Sequence, residues 1–185
     1  MRPVEIAQHF IAEHLKPADI AIDTTAGNGH DSCFLARLVG PEGHVFCIDI
    51  QTAALTNTAR RLAAEQLEPR TTLIHGDHAQ LARLIPLDIQ PRIRAIMFNL
   101  GYLPGGDKHL ITQATSTTGA IHAALALLPT AGVMSIISYR GHPGGLAEHK
   151  AVAGALADNH RRYHCVETPN SGPVAWLIDA SYRHD

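Results

Sequence analysis

The 185-residue chain carries 15 Lys and Arg against 17 Asp and Glu, a formal charge of −2 at pH 7, with 45% hydrophobic residues. That length supports a sizeable core without metal or disulfide support and predicts one domain over residues 1–185. The near-neutral balance excludes polyanion binding by overall charge, so any nucleic-acid contact would need a local basic patch.

Apolar residues from Val4 to Leu15 recur at helical spacing, with Pro3 in the first turn and Pro17 as the stop. "DIAIDT" (19–24) then reads as a short buried strand, "DSCFLARLVG" (31–40) as a helix closed by glycine, and "HVFCID" (44–49) as a second strand. "TAALTNTARRLAAEQL" (52–67) is an amphipathic helix and "TTLIHG" (71–76) a third strand. "HAQLARLI" (78–85) is a short helix ended by Pro86. "IRAIMFNLG" (93–101) has the apolar centre of a central parallel strand. A helix over 113–128, a strand over 132–139 and a helix over 145–159 follow. "RYHCVETPN" (162–170) and "GPVAWLIDASYR" (172–183) read as a closing antiparallel hairpin.

Alternating strands and helices predict a doubly wound, mostly parallel α/β sheet with right-handed crossovers. Five such units plus a terminal hairpin make seven strands, an arrangement that resembles the class I S-adenosylmethionine-dependent methyltransferases. In this kind of sheet, ligands bind beyond the carboxyl ends of the strands, near the switch point. The scattered Cys33, Cys47 and Cys165 suit a reducing compartment. No signal peptide and no apolar run near the ~20 residues of a membrane helix is evident, so the expectation is a cytoplasmic protein without membrane contact. The 13 histidines include the pairs His75 and His78, and His160 and His164. Neither pair has metal-ligand spacing with a Cys pair or a second His on a helix, so no metal is expected.

On the predicted rim, Gly27-Asn28-Gly29 forms a tight turn that lets backbone approach a ligand. A pyrophosphate on the following helix would meet Asp31 in its first turn, and Asp23 lies at the strand end. Two acids suit a ligand carrying an ammonium and a sulfonium; the alternative is that Asp31 only complements the helix dipole. Asp49, about 20 residues on, is placed to accept ribose hydroxyl protons, a spacing shared by nicotinamide and methyl-donor sites. Asp77 or His78 could flank an adenine edge, or His78 could be a loop residue. Asn99 enters "NLGYLPGGDK", where its carbonyl can accept an amine N–H and aim the nitrogen lone pair at a methyl group. Tyr102 can pack on a base or on the methyl donor. Tyr139, Arg140 and His142 share the rim, and Arg140, Lys108 and Lys150 are candidate phosphate contacts.

"DTTAGNGHDSCFLA", "FNLGYLPGGDK" and "YRGHPGG" with Glu148 together resemble the YtqB-like group of rRNA-methylase-type proteins, whose characterised members, called MnmM, are tRNA wobble-uridine methyltransferases. The resemblance covers essentially the whole chain. It implies S-adenosyl-L-methionine as cofactor and S-adenosyl-L-homocysteine as product. The implied reaction methylates the 5-aminomethyl group of 2-thiouridine at the wobble position of a tRNA anticodon stem-loop. By position, Asp23, Thr25, Gly27, Asn28, Gly29, Asp31 and Ser32 would form the methyl-donor turn. Asp49 with Gln51 would hold the ribose, Asp77 and His78 the adenine, and Asn99, Leu100 and Gly101 would complete the donor site. Asn99 and Tyr102 would be catalytic. Tyr102, Pro104, Gly106, Asp107, Lys108, Tyr139, Arg140, His142 and Glu148 would face the substrate. The chain departs from the pattern at Thr24 (alanine expected), at Ser32 (threonine expected) and in "NSGPVAW", which lacks paired prolines. The alternatives are an rRNA or small-molecule amine methyltransferase, a nicotinamide-dependent oxidoreductase, and a non-catalytic RNA-binding module. Ser32 where a dinucleotide fingerprint has Gly or Ala, together with Asp31, speaks against the oxidoreductase. With so little net charge, RNA binding would use local patches or the surface of a homodimer.

Overall fold

The computed structural model describes residues 1–101, 114–170 and 172–183, with only the backbone described at 161, 182 and 183. Strands β1 (Ile20–Asp23), β2 (His44–Asp49), β3 (Thr71–His75), β4 (Ile93–Asn99) and β5 (Val133–Ser138) pair in parallel. β6 (Arg161–Glu167) and β7 (Val174–Arg183) close the sheet as an antiparallel hairpin, with β7 also antiparallel to β5. The order β3-β2-β1-β4-β5-β7-β6 reverses direction between β1 and β4, so the loops leaving these two strands diverge and open a crevice.

Side-chain alternation along the strands divides the core in two. Ile22, Phe46, Ile48, Ile96 and Phe98 face α4 (Leu81–Leu84), α5 (Ala114–Leu127) and α6 (Gly145–Asp158). Their neighbours Ala21, Val45, Cys47, Ala95 and Met97 face α1 (Pro3–His14), α2 (His30–Val39) and α3 (Thr52–Ala64). Burial on both faces explains why every residue of β1 and β5 is buried, including Asp23, Ser135 and Ser138. In α5 the buried positions Thr117, Ala120, Ile121, Ala124 and Leu125 fall on one stripe of the helix. α1 seals the hairpin side, where Ala7 packs with Ile137, Ala175 and Leu177.

The predicted elements are all present, with two adjustments. Gln66 adopts φ 57°, which ends α3 early, and a 3-10 turn at Glu68–Arg70 leads into β3. The predicted helix over 78–85 divides into a 3-10 turn, His78–Gln80, and the single turn of α4. No helix among the described residues is long and apolar enough to cross a membrane.

Candidate active site

The site begins where β1 stops. Thr24 is buried, and both its N–H (3.0 Å) and its hydroxyl (2.7 Å) donate to the Met97 carbonyl, clamping the end of β1 to β4. A hydroxyl here is therefore satisfied where an alanine was expected. Ser32 likewise donates to Asp23 Oδ2 at 2.6 Å, and the Thr25 N–H donates to Asp23 Oδ1 at 3.1 Å. Despite these donors, burial and then the charge of Asp31 raise the Asp23 carboxyl to about 7.

Gly27 and Gly29 adopt φ of 54° and 79°, and Gly29 caps α2 from the left-handed region. A Cβ on Gly29 would stand 2.9 Å from the Thr58 Cα, so that glycine admits α3. This reason differs from the close ligand approach expected from the sequence. Asn28 also turns toward α3. Its Oδ1 accepts from Asn57 Nδ2 at 2.9 Å and its carbonyl accepts from Arg61 Nε at 2.6 Å. Asp49 braces the same turn, accepting from the Gly27 N–H and the Gln51 N–H, both at 2.9 Å. Each Asp49 oxygen keeps a further lone pair for a ligand hydroxyl.

Asp31 is 7% exposed, and its Oδ1 accepts from Gln8 Nε2 of α1 at 2.8 Å. Asn99 Nδ2 approaches the other oxygen at 3.4 Å, while the Asn99 N–H donates to Thr25 Oγ1 at 2.7 Å. An ionised carboxylate only accepts, so this contact turns the Asn99 amide nitrogen toward Asp31 and its carbonyl oxygen away. Burial raises the Asp31 carboxyl, against the opposing pull of the Gln8 and Asn99 hydrogen bonds. Among the described residues, neither Asp23 nor Asp31 has a lysine or arginine partner. Among the described residues, the crevice thus holds two buried acids with no lysine or arginine paired to them.

Beyond Asn99, Leu100 is buried in the core and donates its N–H to the Ile137 carbonyl. Gly101, with φ 137°, lies beneath the Tyr139 ring. A Cβ there would be 3.6 Å from Tyr139 Cδ2 and 4.0 Å from His142 Nε2. Tyr139 and His142 therefore meet the Asn99–Gly101 corner as the sequence suggested, and burial, then Asp31, raises the Tyr139 phenol. Tyr102, Pro104, Gly106, Asp107 and Lys108 lie outside the described residues.

Asp77 caps the 3-10 turn by accepting from the Ala79 N–H at 2.9 Å. His78 is buried against Phe98 (ring centroids 6.0 Å apart), its pKa lowered by that burial, and its Nε2 has no partner. Arg140 staples the hairpin loop, donating to the carbonyls of Gly172 and Thr168, both at 3.0 Å, and pairing with Glu167 at 2.7 Å. Its guanidinium is engaged within the protein rather than open to phosphate. Glu148 is 1% exposed inside α6, accepting from Thr117 Oγ1 at 2.6 Å while its Oε2 has no partner. Lys150 is exposed on the same helix. Gln8 and Thr117 escaped the sequence reading because nothing local marks them; each is defined by a partner more than 20 residues away.

A family model matches residues 45–171. The chain is 33% identical over 159 residues to the chloroplastic tRNA (mnm(5)s(2)U34)-methyltransferase of Arabidopsis thaliana, covering 82% of this chain and 57% of that protein. It thus spans little more than half the length of that relative. A Clostridium thermocellum structure is 33% identical with a TM-score of 0.90, covering 97% of both chains. SMU.1697c of Streptococcus mutans, solved in complex with SAH, is 31% identical with a TM-score of 0.83, covering 97% of this chain and 98% of that one. The sheet order with its terminal hairpin is that of the Rossmann-like methyltransferases. Matched over more than half its length, the chain belongs to the family described as "Putative rRNA methylase".

Proposed function

We propose that this protein is an S-adenosylmethionine-dependent N-methyltransferase acting on the exocyclic amine of 5-aminomethyl-2-thiouridine at the wobble position of tRNA. The observation that carries the chemistry is the Asp31–Asn99 contact, which turns the Asn99 amide nitrogen to Asp31 and its carbonyl oxygen away, beside acids that have no lysine or arginine partner among the described residues. The substrate assignment is supported by the name of the Arabidopsis relative, at 33% identity.

The residues fit the methyl donor. Asp23 and Asp31 suit its positive charges and disfavour a pyrophosphate, and Asp49 retains acceptor capacity for ribose hydroxyls. When bound, the donor would supply an electrophilic methyl for in-line attack by a neutral amine: the N–C bond forms as the C–S bond breaks, the thioether S-adenosyl-L-homocysteine leaves, and the methylated ammonium gives up its proton to solvent. Asn99 Oδ1 accepts an amine N–H and directs the lone pair, while Thr25 holds the Asn99 backbone. Tyr139 beside Gly101 offers a ring face for the uridine base, and exposed Lys150 a phosphate contact. A homodimer would enlarge the RNA-facing surface. The test is mass spectrometry of tRNA nucleosides from a strain lacking the protein, with purified enzyme added back. Accumulated 5-aminomethyl-2-thiouridine that the enzyme converts to the methylated nucleoside supports the proposal. Unchanged wobble uridines with altered rRNA would instead assign the same chemistry to rRNA, in line with the family description.

A further inference from the structure

We infer that Gln8, on the N-terminal helix, is a positioning residue for methyl transfer: it holds Asp31 in the rotamer that orients the Asn99 amide. The inference rests on the methyltransferase reading above. Gln8 Nε2 donates to Asp31 Oδ1 at 2.8 Å, the shorter of the two side-chain contacts that carboxylate makes among the described residues. Asp31 is nearly buried, and among the described residues the other side-chain hydrogen bond to its carboxylate is the 3.4 Å approach of Asn99. Without Gln8 that long contact would be the one left among the described residues to orient the carboxylate, and the Asn99 amide could flip its nitrogen into the crevice. That flip would present a donor to a substrate amine that needs an acceptor. α1 also packs against the sheet beside Tyr139, so it supports two walls of the site.

The arrangement makes Gln8 act through Asp31, and a double-mutant cycle reads that dependence directly. Gln8→Met keeps the side-chain length and removes the donor; Gln8→Ala removes both. Either substitution is expected to lower kcat on tRNA about 10- to 100-fold. In an Asp31→Asn background, Gln8→Met should cost less than about 2-fold more. A second readout is the pH dependence of methyl-donor binding by calorimetry. Losing the Gln8 donor should move the acid limb of affinity upward by about one pH unit, because that hydrogen bond favours the ionised carboxylate. Gln8→Met within about 2-fold of wild type, or losses that multiply in the double variant, would overturn the inference. If the wild-type protein binds the methyl donor but methylates no tRNA, the underlying reading fails. The calorimetric limb then decides the Gln8–Asp31 linkage alone, and an unmoved limb overturns it.

Discussion

Two glycine-to-alanine substitutions should move stability in opposite directions. At Gly29 the backbone has φ 79°, and the new Cβ would stand 2.9 Å from the Thr58 Cα. The left-handed conformation costs an L-residue about 1–2 kcal/mol, and crowding against backbone that cannot rotate away adds about 1–3 kcal/mol. The sum, about 2–5 kcal/mol, corresponds to a fall in Tm of about 4–20 °C for a chain of this length. At Gly154, within α6, a Cβ would meet nothing within 4 Å. There alanine removes unfolded-state freedom and should add about 0.5–1 kcal/mol, raising Tm by about 1–4 °C. Scanning calorimetry of both variants at one protein concentration, without ligand, reads the difference. Gly29→Asn sharpens it, since asparagine tolerates positive φ yet keeps the Cβ, and should recover only part of the loss. A Gly29→Ala protein melting within about 2 °C of wild type would refute the packing argument. Because the same turn carries Gly27 against Asp49, Gly29→Ala should also weaken methyl-donor binding, measurable by calorimetry at low temperature.

The other outcomes concern charge and buried hydrogen bonds. Burial, then the charge of Asp31, raises the Asp23 carboxyl from the ordinary aspartate range to about 7 in the folded protein. Its contribution to stability is therefore fully present below about pH 4 and lost as pH rises toward and through 7. Asp23→Asn should flatten that decline in a Tm-against-pH series, while weakening methyl-donor binding; an unchanged slope would refute the burial argument. Asn99→Ala should lower kcat about 100-fold with little change in methyl-donor affinity. Asp31→Ala should weaken that affinity as well, so comparing the two variants by calorimetry and single-turnover kinetics separates orientation from binding. Thr117→Val would remove the hydrogen bond to Glu148 Oε1, and among the described residues neither oxygen of that buried carboxyl would then have a partner, for a loss of about 1–3 kcal/mol in urea denaturation.

Much of the fold was legible along the chain because its signals are local. The apolar centre of β4, "AIMF", marks a strand buried on both faces, and the stripe in α5 marks a helix against the sheet. Errors arose where local conformation outweighed periodicity: Gln66 took the left-handed region and ended α3, and the 78–85 helix opened with a 3-10 turn. In the candidate site, strand ends and turns pointed to Asp23, Asp49 and Asn99, because strand order alone puts those termini on one rim. Residue type misled at Arg140: a cation on the rim suggested a phosphate contact, but tertiary packing gave its guanidinium to the hairpin loop. The burial of Glu148 beneath α5 was likewise set by packing rather than by local pattern.

The alternating α/β architecture, the terminal hairpin and the acid-glycine-acid turn are written along the chain, since periodicity and backbone preference act over a few residues. How those acids are held depends on long-range packing. Gln8, Asp31 and Asn99 are separated by 23 and 68 residues, and a hydrogen bond requires partners within about 3 Å. No local pattern encodes that proximity; it follows from α1, α2 and β4 packing at one edge of the crevice. The direction of the Asn99 carbonyl, on which the proposed chemistry turns, is set by that packing.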